Sequence, residues 1–173
     1  MKSSRNNQPS IAKGVLSSVI GYHIATARVT TQGLFVRHIG EPFSLRPVEF
    51  SLLMLLRAHG HLTPKQLSRL LALSGPNLSM LLDRIQDRGL VERVRSAVDR
   101  RSQQILLTSA GQELVHRLEA RVPGMEIELD AVLTPAERAM LIELLQKVAA
   151  HGGGDRETPA GPESARVGEV NEG

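Results

Sequence analysis

Between residues 76 and 102 the chain carries side chains suited to gripping a polyanion and reading the edges of its bases. Asn77, Ser79 and Met80, with Pro76 ahead of them and Arg84 and Arg88 behind, fall within one short stretch. Asn and Arg present paired hydrogen-bonding groups in a plane, the geometry that matches adenine and guanine edges in the major groove, and Met80 can lie against a thymine methyl. Arg95, Arg100 and Arg101 follow on or beside a tight polar turn. A guanidinium there can enter a narrow minor groove, where the potential is most negative, with no base-specific bond. Asp99 would be repelled by phosphate, so its useful role is internal: holding Arg101, or an arginine of the preceding helix, in place. The competing reading makes Arg84 and Arg88 ordinary partners of Asp83, Asp87 or Asp99.

Such side chains need rigid elements behind them. Leu78, Leu81, Leu82 and Ile85 recur at helical spacing and point inward, leaving residues 77, 79, 80, 84 and 88 outward. Ser74 is placed to cap this helix, with Pro76 in its first turn and Gly89 where a left-handed residue ends it. Thr63-Pro64-Lys65-Gln66 reads as a capping box opening the helix before it, whose core face is Leu67, Leu70 and Leu71. Leu73-Ser74-Gly75 joins the two as a helix-turn-helix. Leu90 to Arg95 and Gln103 to Leu107 read as two short strands, with Val91, Ile105 and Leu107 at alternating apolar positions and a basic link between them. The fold class expected is mainly α with a small β-hairpin wing: a winged helix-turn-helix domain plus a helical dimerisation region.

Residues 1–10 are polar and expected to be flexible. A long helix is expected from Ile11 to His38, with Val15, Val19, Ile20, Ile24 and Ala27 at helical spacings, a weak spot at Gly33, and an end at Gly40-Glu41-Pro42. Pro47 suits the first turn of the next helix, and Glu49 nearby favours its dipole. The body, Phe50 to Leu56, is apolar on almost every side, so this helix belongs at the centre of the domain. Thr108 caps a long helix carrying Leu114, Leu118, Met125, Leu129 and Val132, which Pro123-Gly124 should bend or interrupt. Thr134-Pro135-Ala136-Glu137 is a second capping box, opening a final helix with Leu141, Leu144, Leu145 and Val148 on one face. Residues 151–173, rich in Pro, Gly and Glu, read as a disordered tail. The expected layout is therefore one domain over 11–150, with a winged helix-turn-helix at 45–108 and dimerisation helices at 11–40 and 109–150. Their apolar stripes are too long for a wing domain of roughly 70 residues to cover, which calls for a homodimer. Two copies would also set recognition helices in successive major grooves, about one helical turn apart.

Composition agrees. The 173 residues are 41% hydrophobic but only 2% aromatic, which implies an aliphatic core. The formal charge is +3, with arginines concentrated between Arg84 and Arg101 and acidic residues favoured in the last twenty, an asymmetry that suits a nucleic-acid partner. The chain has no cysteine, which removes disulfides, thiolate metal clusters and thiol-based peroxide sensing, and fits a reducing cytoplasm. No apolar run approaches the roughly 18 residues of a membrane span. Met1 to Ser10 lacks the apolar centre of a signal peptide. His59-Gly60-His61 offers two imidazoles without the further ligands a metal site needs, and a helix C-terminus favours histidine on dipole grounds alone, so no metal is expected. There is no phosphate-cradling glycine loop, no HExxH and no nucleophile elbow; no catalytic residue and no enzymatic reaction are expected.

Leu45-Arg46-Pro47-Val48-Glu49-Phe50, the turn into 78–88, Arg88-Gly89-Leu90-Val91-Glu92-Arg93, Asp99-Arg100-Arg101-Ser102 and Leu107-Thr108-x-x-Gly111 together resemble the MarR family of transcriptional regulators. The similarity runs over about residues 15–150 and is most specific over 74–111. It implies a triangular homodimer interlocked by its first and last two helices. It also implies a palindromic operator in double-stranded DNA, bound most often by a repressor that a small ligand releases. Carried over, Asp99 and Arg101 take the wing positions and the outward residues of 76–84 the recognition role. The absent cysteine removes the family's thiol-oxidation mode, and the scarcity of aromatics argues against a stacking pocket of the urate or drug type. Ligand sites in this family lie between the dimer region and the wing domain. Here Tyr22, His23, Arg28, Arg37, His38 and Arg46 stand in those segments. Arg and His near an apolar wall suit a carboxylate, so the expected effector is an aromatic carboxylic acid such as a hydroxybenzoate, an analogy with the family. Each of these residues also reads as a plain surface charge or a satisfied hydrogen bond. The alternative function is a winged-helix architectural or protein-binding module with no small-molecule effector, though a protein-binding wing has little need of Arg95, Arg100 and Arg101 together.

Overall fold

A 3-10 turn at Val15–Ser18 leads into α1 (Ile20–Phe35) in the computed structural model, which describes residues 14–95 and 103–151. Gly33 lies inside α1 without breaking it. Nor does the helix stop at Gly40-Glu41-Pro42 as expected: a widened π-helical stretch, Val36–Gly40, carries it into α2 (Glu41–Phe43). Pro42 has no N–H for the carbonyl one turn back, and the widened stretch stands just ahead of it. The end comes at Ser44, held left-handed at φ 50°, where the Leu45 N–H reaches the Gly40 carbonyl at 3.0 Å.

Helix α3 (Pro47–His59) opens on a proline, and Glu49 reaches back to the Arg46 N–H at 2.7 Å. Leu52, Leu53 and Leu56 are fully buried, which places α3 at the centre as its all-round apolar pattern requires. Gly60, at φ 75°, turns the chain into β1 (His61–Leu62), a strand missed from the sequence because two residues show no alternation. Thr63 and Gln66 form the expected capping box on α4 (Pro64–Leu71). Leu67 is buried there, but Leu70 is 51% exposed, contrary to expectation. It stands about 100° around the helix from Leu71, past the edge of the core-facing stripe.

Helix α5 (Gly75–Asp87) buries Leu78, Leu81, Leu82 and Ile85 as expected. Ser74 sits at its N-cap in extended backbone, although its hydroxyl makes no capping bond. Strands β2 (Val91–Arg95) and β3 (Gln103–Leu107) pair antiparallel in the register Val91↔Leu107 to Arg95↔Gln103. Because β1 pairs the other edge of β3 through His61↔Leu106 and Leu62↔Ile105, the expected hairpin is part of a three-stranded sheet in the order β1-β3-β2.

Thr108 locks the sheet to α6 (Ser109–Glu119): its Oγ1 accepts from the Gly111 N–H at 3.0 Å and donates to the Gly89 carbonyl at 2.6 Å. Gly111 passes so close to the sheet that an added Cβ would meet the Leu90 carbonyl oxygen at 2.0 Å. The long helix expected here is interrupted, as predicted, and resumes as α7 (Val122–Asp130) with Pro123 in its first turn. The buried residues of the sheet and of α3 to α6 form one apolar cluster with Phe35 and Ile39.

The chain divides into two compact units, Met1–Val132 and Leu133–Gly173. The second consists, among the described residues, of α8 (Pro135–His151), opened by the Thr134–Glu137 capping box. No residue of α8 is buried, and Leu141, Leu144, Leu145 and Val148 are all exposed. Among the described residues no helix is long and apolar enough to cross a membrane. The expected flexible segment 1–10, the wing residues Asp99, Arg100 and Arg101, and the expected tail beyond His151 lie outside the described residues.

Candidate nucleic-acid interface

The turn between α4 and α5 is set by Ala72 in the left-handed region at φ 52° and by the Ser68 hydroxyl donating to the Leu73 carbonyl. That corner presents α5 with its apolar side inward. Pro76, Asn77, Ser79 and Met80 are all exposed on the opposite arc, Met80 by 64%. The same arc carries Asp83, a carboxylate that would oppose phosphate. Its partner is Arg93 of β2, an ion pair that neutralises it and ties the sheet to α5. Arg95 stands exposed at the end of β2, opposite Gln103. A shallow cavity of about 300 Å³ lies alongside, lined by Lys65 and Ser68 of α4, Ser79 of α5 and Arg93 and Gln103 of the sheet. Lys65 and Gln103 were not among the expected site residues, because nothing in their sequence neighbourhood separates them from ordinary surface polar groups.

Arg84 and Arg88 lie on the flank of this arc and turn away from it. Arg84 Nε stands 2.7 Å from Glu49 Oε1, and Arg88 Nη1 lies 3.9 Å from Glu49 Oε2. Arg88 also donates to the backbone carbonyls of Ser44 at 3.0 Å and Phe43 at 3.2 Å. The partner expected for these arginines was an aspartate of their own region; the structure supplies a glutamate from α3. Arg84, expected among the base-reading groups, thus makes an internal ion pair with Glu49. The sequence concealed this because Glu49 also satisfies a local role at the start of α3.

The residues expected around an effector are not brought to one place. His23 Nε2 lies 2.9 Å from the Ser17 carbonyl, and its ring meets Tyr22 edge-on at 5.5 Å between centroids. Arg28 lines a shallow groove on α1 with Gly21, Ile24, Ala25, Val29 and Gln32. His38 Nε2 is 3.3 Å from Glu128 Oε1 of α7, which also receives Arg37 at 2.9 Å. Arg46 borders an open cleft of about 410 Å³ with Gly40, Ser44, Leu45, Glu49, Arg84 and Arg88. Tyr22 and His38 are about 24 Å apart along the helix axis at the usual rise per residue, so one small molecule cannot touch both in a single chain. His59 ends α3 and His61 begins β1; among the described residues no three His, Asp or Glu side chains are grouped to hold a metal ion.

The sequence model of the MarR family matches residues 43–102. The multiple antibiotic resistance protein MarR of Salmonella typhimurium is 31% identical over 109 residues, 62% of this chain and 75% of that protein. Among solved structures, the transcriptional repressor CouR, bound to a 23-mer DNA duplex, superposes with a TM-score of 0.72 and 31% identity over 79% of this chain and 96% of that one. Bordetella bronchiseptica BpsR, whose DNA binding is regulated by 6-hydroxynicotinic acid, shares the fold at a TM-score of 0.69 and 23% identity, over 77% of this chain and 94% of its own.

Proposed function

The chain belongs to the MarR family of transcriptional regulators, and on that footing we propose that it is a ligand-responsive homodimeric repressor of a palindromic operator in double-stranded DNA. The observation that carries this reading is the exposed arc of α5, with Pro76, Asn77, Ser79 and Met80 set beside a strand that ends in Arg95. Asn77 takes an adenine edge and Met80 a thymine methyl, while Pro76 and Ser79 fit the helix start against the backbone. Arg95, Arg100 and Arg101 take the minor groove and phosphates, with Asp99 orienting the wing. Arg84 serves from behind. CouR, at 31% identity, is a repressor held on a DNA duplex, which supports the same mode here.

Dimerisation has its support in apolar surface. Val15, Ile20 and Val29 on the first helical segment and Leu141, Leu144 and Val148 on α8 are exposed in the single chain, more apolar surface than a monomer ordinarily leaves to water. The effector proposed is an aromatic carboxylic acid such as a hydroxybenzoate. Of the six residues expected near it, Arg46 has the surroundings that suit an anion, because its cleft also holds Arg84 and Arg88 against the single carboxylate of Glu49. BpsR answers to an aromatic carboxylic acid, in keeping with that class. To release the operator, the acid must bind the two arrangements of the wing domains unequally, whatever its affinity.

Fluorescence anisotropy with the gene's own upstream DNA tests this directly. Binding should weaken steeply and log-linearly with salt, as phosphate neutralisation demands. Absent or salt-insensitive binding would overturn the proposal. A thermal-shift screen of aromatic acids, with hits tested for operator release, then decides the effector. DNA binding that no acid relieves would support an architectural binder instead.

A further inference from the structure

Glu49 is the one charged residue buried among the described residues, with 2% of its surface exposed. A carboxylate so placed is costly unless hydrogen bonds and opposite charge offset its lost hydration. Separate parts of the fold supply both. From the start of its own helix, the Arg46 N–H donates to Oε2 at 2.7 Å. From α5, Arg84 Nε approaches Oε1 at 2.7 Å and Arg88 Nη1 approaches Oε2 at 3.9 Å. Arg88 continues past the carboxylate to the carbonyls of Phe43 and Ser44, where α2 ends and the left-handed Ser44 exposes them. A single buried charge thereby joins the α2–α3 corner to the C-terminal half of the recognition helix.

We propose that Glu49 is a positioning residue for operator recognition, fixing the tilt and rotation of α5 against the α2–α3 corner. This rests on the reading that the exposed arc of α5 meets the bases. The apolar contacts of Leu78, Leu81, Leu82 and Ile85 hold α5 in place but do not select its rotation finely, because burial of apolar area is non-directional. The hydrogen bonds of the Arg46 N–H to Glu49 and of Arg88 to the Ser44 and Phe43 carbonyls are directional, and the ion pairs of Arg84 and Arg88 with Glu49 draw α5 toward the same corner. A buried ion pair adds little net stability compared with well-packed apolar groups, so its contribution here is geometric. The lever is long enough to matter. Asn77 lies about 10 Å along the axis from Arg84, so a tilt of about 5° displaces it by about 1 Å, beyond the tolerance of a bidentate base contact.

Glu49→Gln is the test. Glutamine keeps the volume and an acceptor for the Arg46 N–H, and removes the charge that holds Arg84 and Arg88. Anisotropy is measured on the operator and on a scrambled duplex of equal length, at one salt concentration and a temperature where circular dichroism shows both proteins folded. The operator affinity of Glu49→Gln should fall by about tenfold, within the usual range for coupled networks, while affinity for scrambled DNA stays within about twofold. Equal losses on both duplexes would mark a merely structural role and overturn the proposal, as would an unchanged ratio. If the variant does not fold, Arg88→Lys decides: it keeps the charge but cannot span two carbonyls, and it should lower the ratio by about threefold. An unchanged ratio there overturns the proposal as well. A wild-type protein without preference for the operator would sink the reading of α5 itself, a result distinct from failure of Glu49.

Discussion

Asn77 stands on the exposed arc of α5, and its amide both donates and accepts, so it can close two bonds on one adenine edge. Asn77→Ala should relax the preference at one base position of each half-site by about 1–3 kcal/mol, with little change on scrambled DNA. A panel of single-base operator variants checks this, and an unaltered profile would reassign the readout. Gly111 answers to a different constraint. With the Leu90 carbonyl oxygen 2.0 Å from where its Cβ would lie, Gly111→Ala must push the first turn of α6 off the sheet. A loss of about 2–3 kcal/mol is expected, read as a lower urea midpoint, and a midpoint matching wild type would mean that the turn yields freely. At this scale the sequence was informative where local periodicity decides. The exposure of residues 76, 77, 79 and 80 follows from the buried set on the same helix. The partner of Arg84 did not follow, because Glu49 is thirty-five positions away and no local pattern couples them.

Among the elements, the capping boxes were the clearest signals, since they are complete within four residues. Thr63 with Gln66 and Thr134 with Glu137 both form as expected. The second has a consequence for pH. The Thr134 hydroxyl, donating to Glu137 Oε2 at 2.7 Å, and then the Thr134 N–H at 2.8 Å hold the Glu137 carboxyl below its ordinary value. A carboxyl lowered in the folded state stabilises the helix above its unfolded pKa, and that contribution disappears as pH falls through the lowered folded value. Protection of the Thr134 amide from hydrogen exchange should therefore drop on acidification through and below the usual carboxylate range. In Glu137→Gln the drop should vanish; an identical pH response in the two proteins would remove Glu137 from the cap. Elements that depend on distant partners were harder to see. Strand β1 exists because the edge of β3 accepts it, and two residues contain no period to announce it.

For the whole molecule, the decisive property is apolar surface left open by a single chain. Met140, Leu141, Ile142, Leu144, Leu145 and Val148 of α8 are all exposed. Leu144→Glu should place a charge in the proposed dimer contact, weakening self-association by about 2 kcal/mol or more, over tenfold in dissociation constant. Sedimentation velocity reads the shift, and operator affinity should fall with it while the wing domain keeps its fold. A variant that remains as dimeric as wild type would exclude this face of α8 from the contact.

Read alone, the residues revealed most of the helices, the two capping boxes, the wing strands and the buried face of α5. Each of these depends on spacing within a few residues, where helical and strand periods and cap chemistry act. The folded chain was needed to show that Glu49 is buried beneath Arg84 and Arg88, that Asp83 is neutralised by Arg93, that Gly111 presses on Leu90, and that the expected effector residues stand apart. Those relations depend on which distant surfaces meet when the apolar faces are buried, and hydrophobic burial selects faces long before it names the polar atoms that will touch.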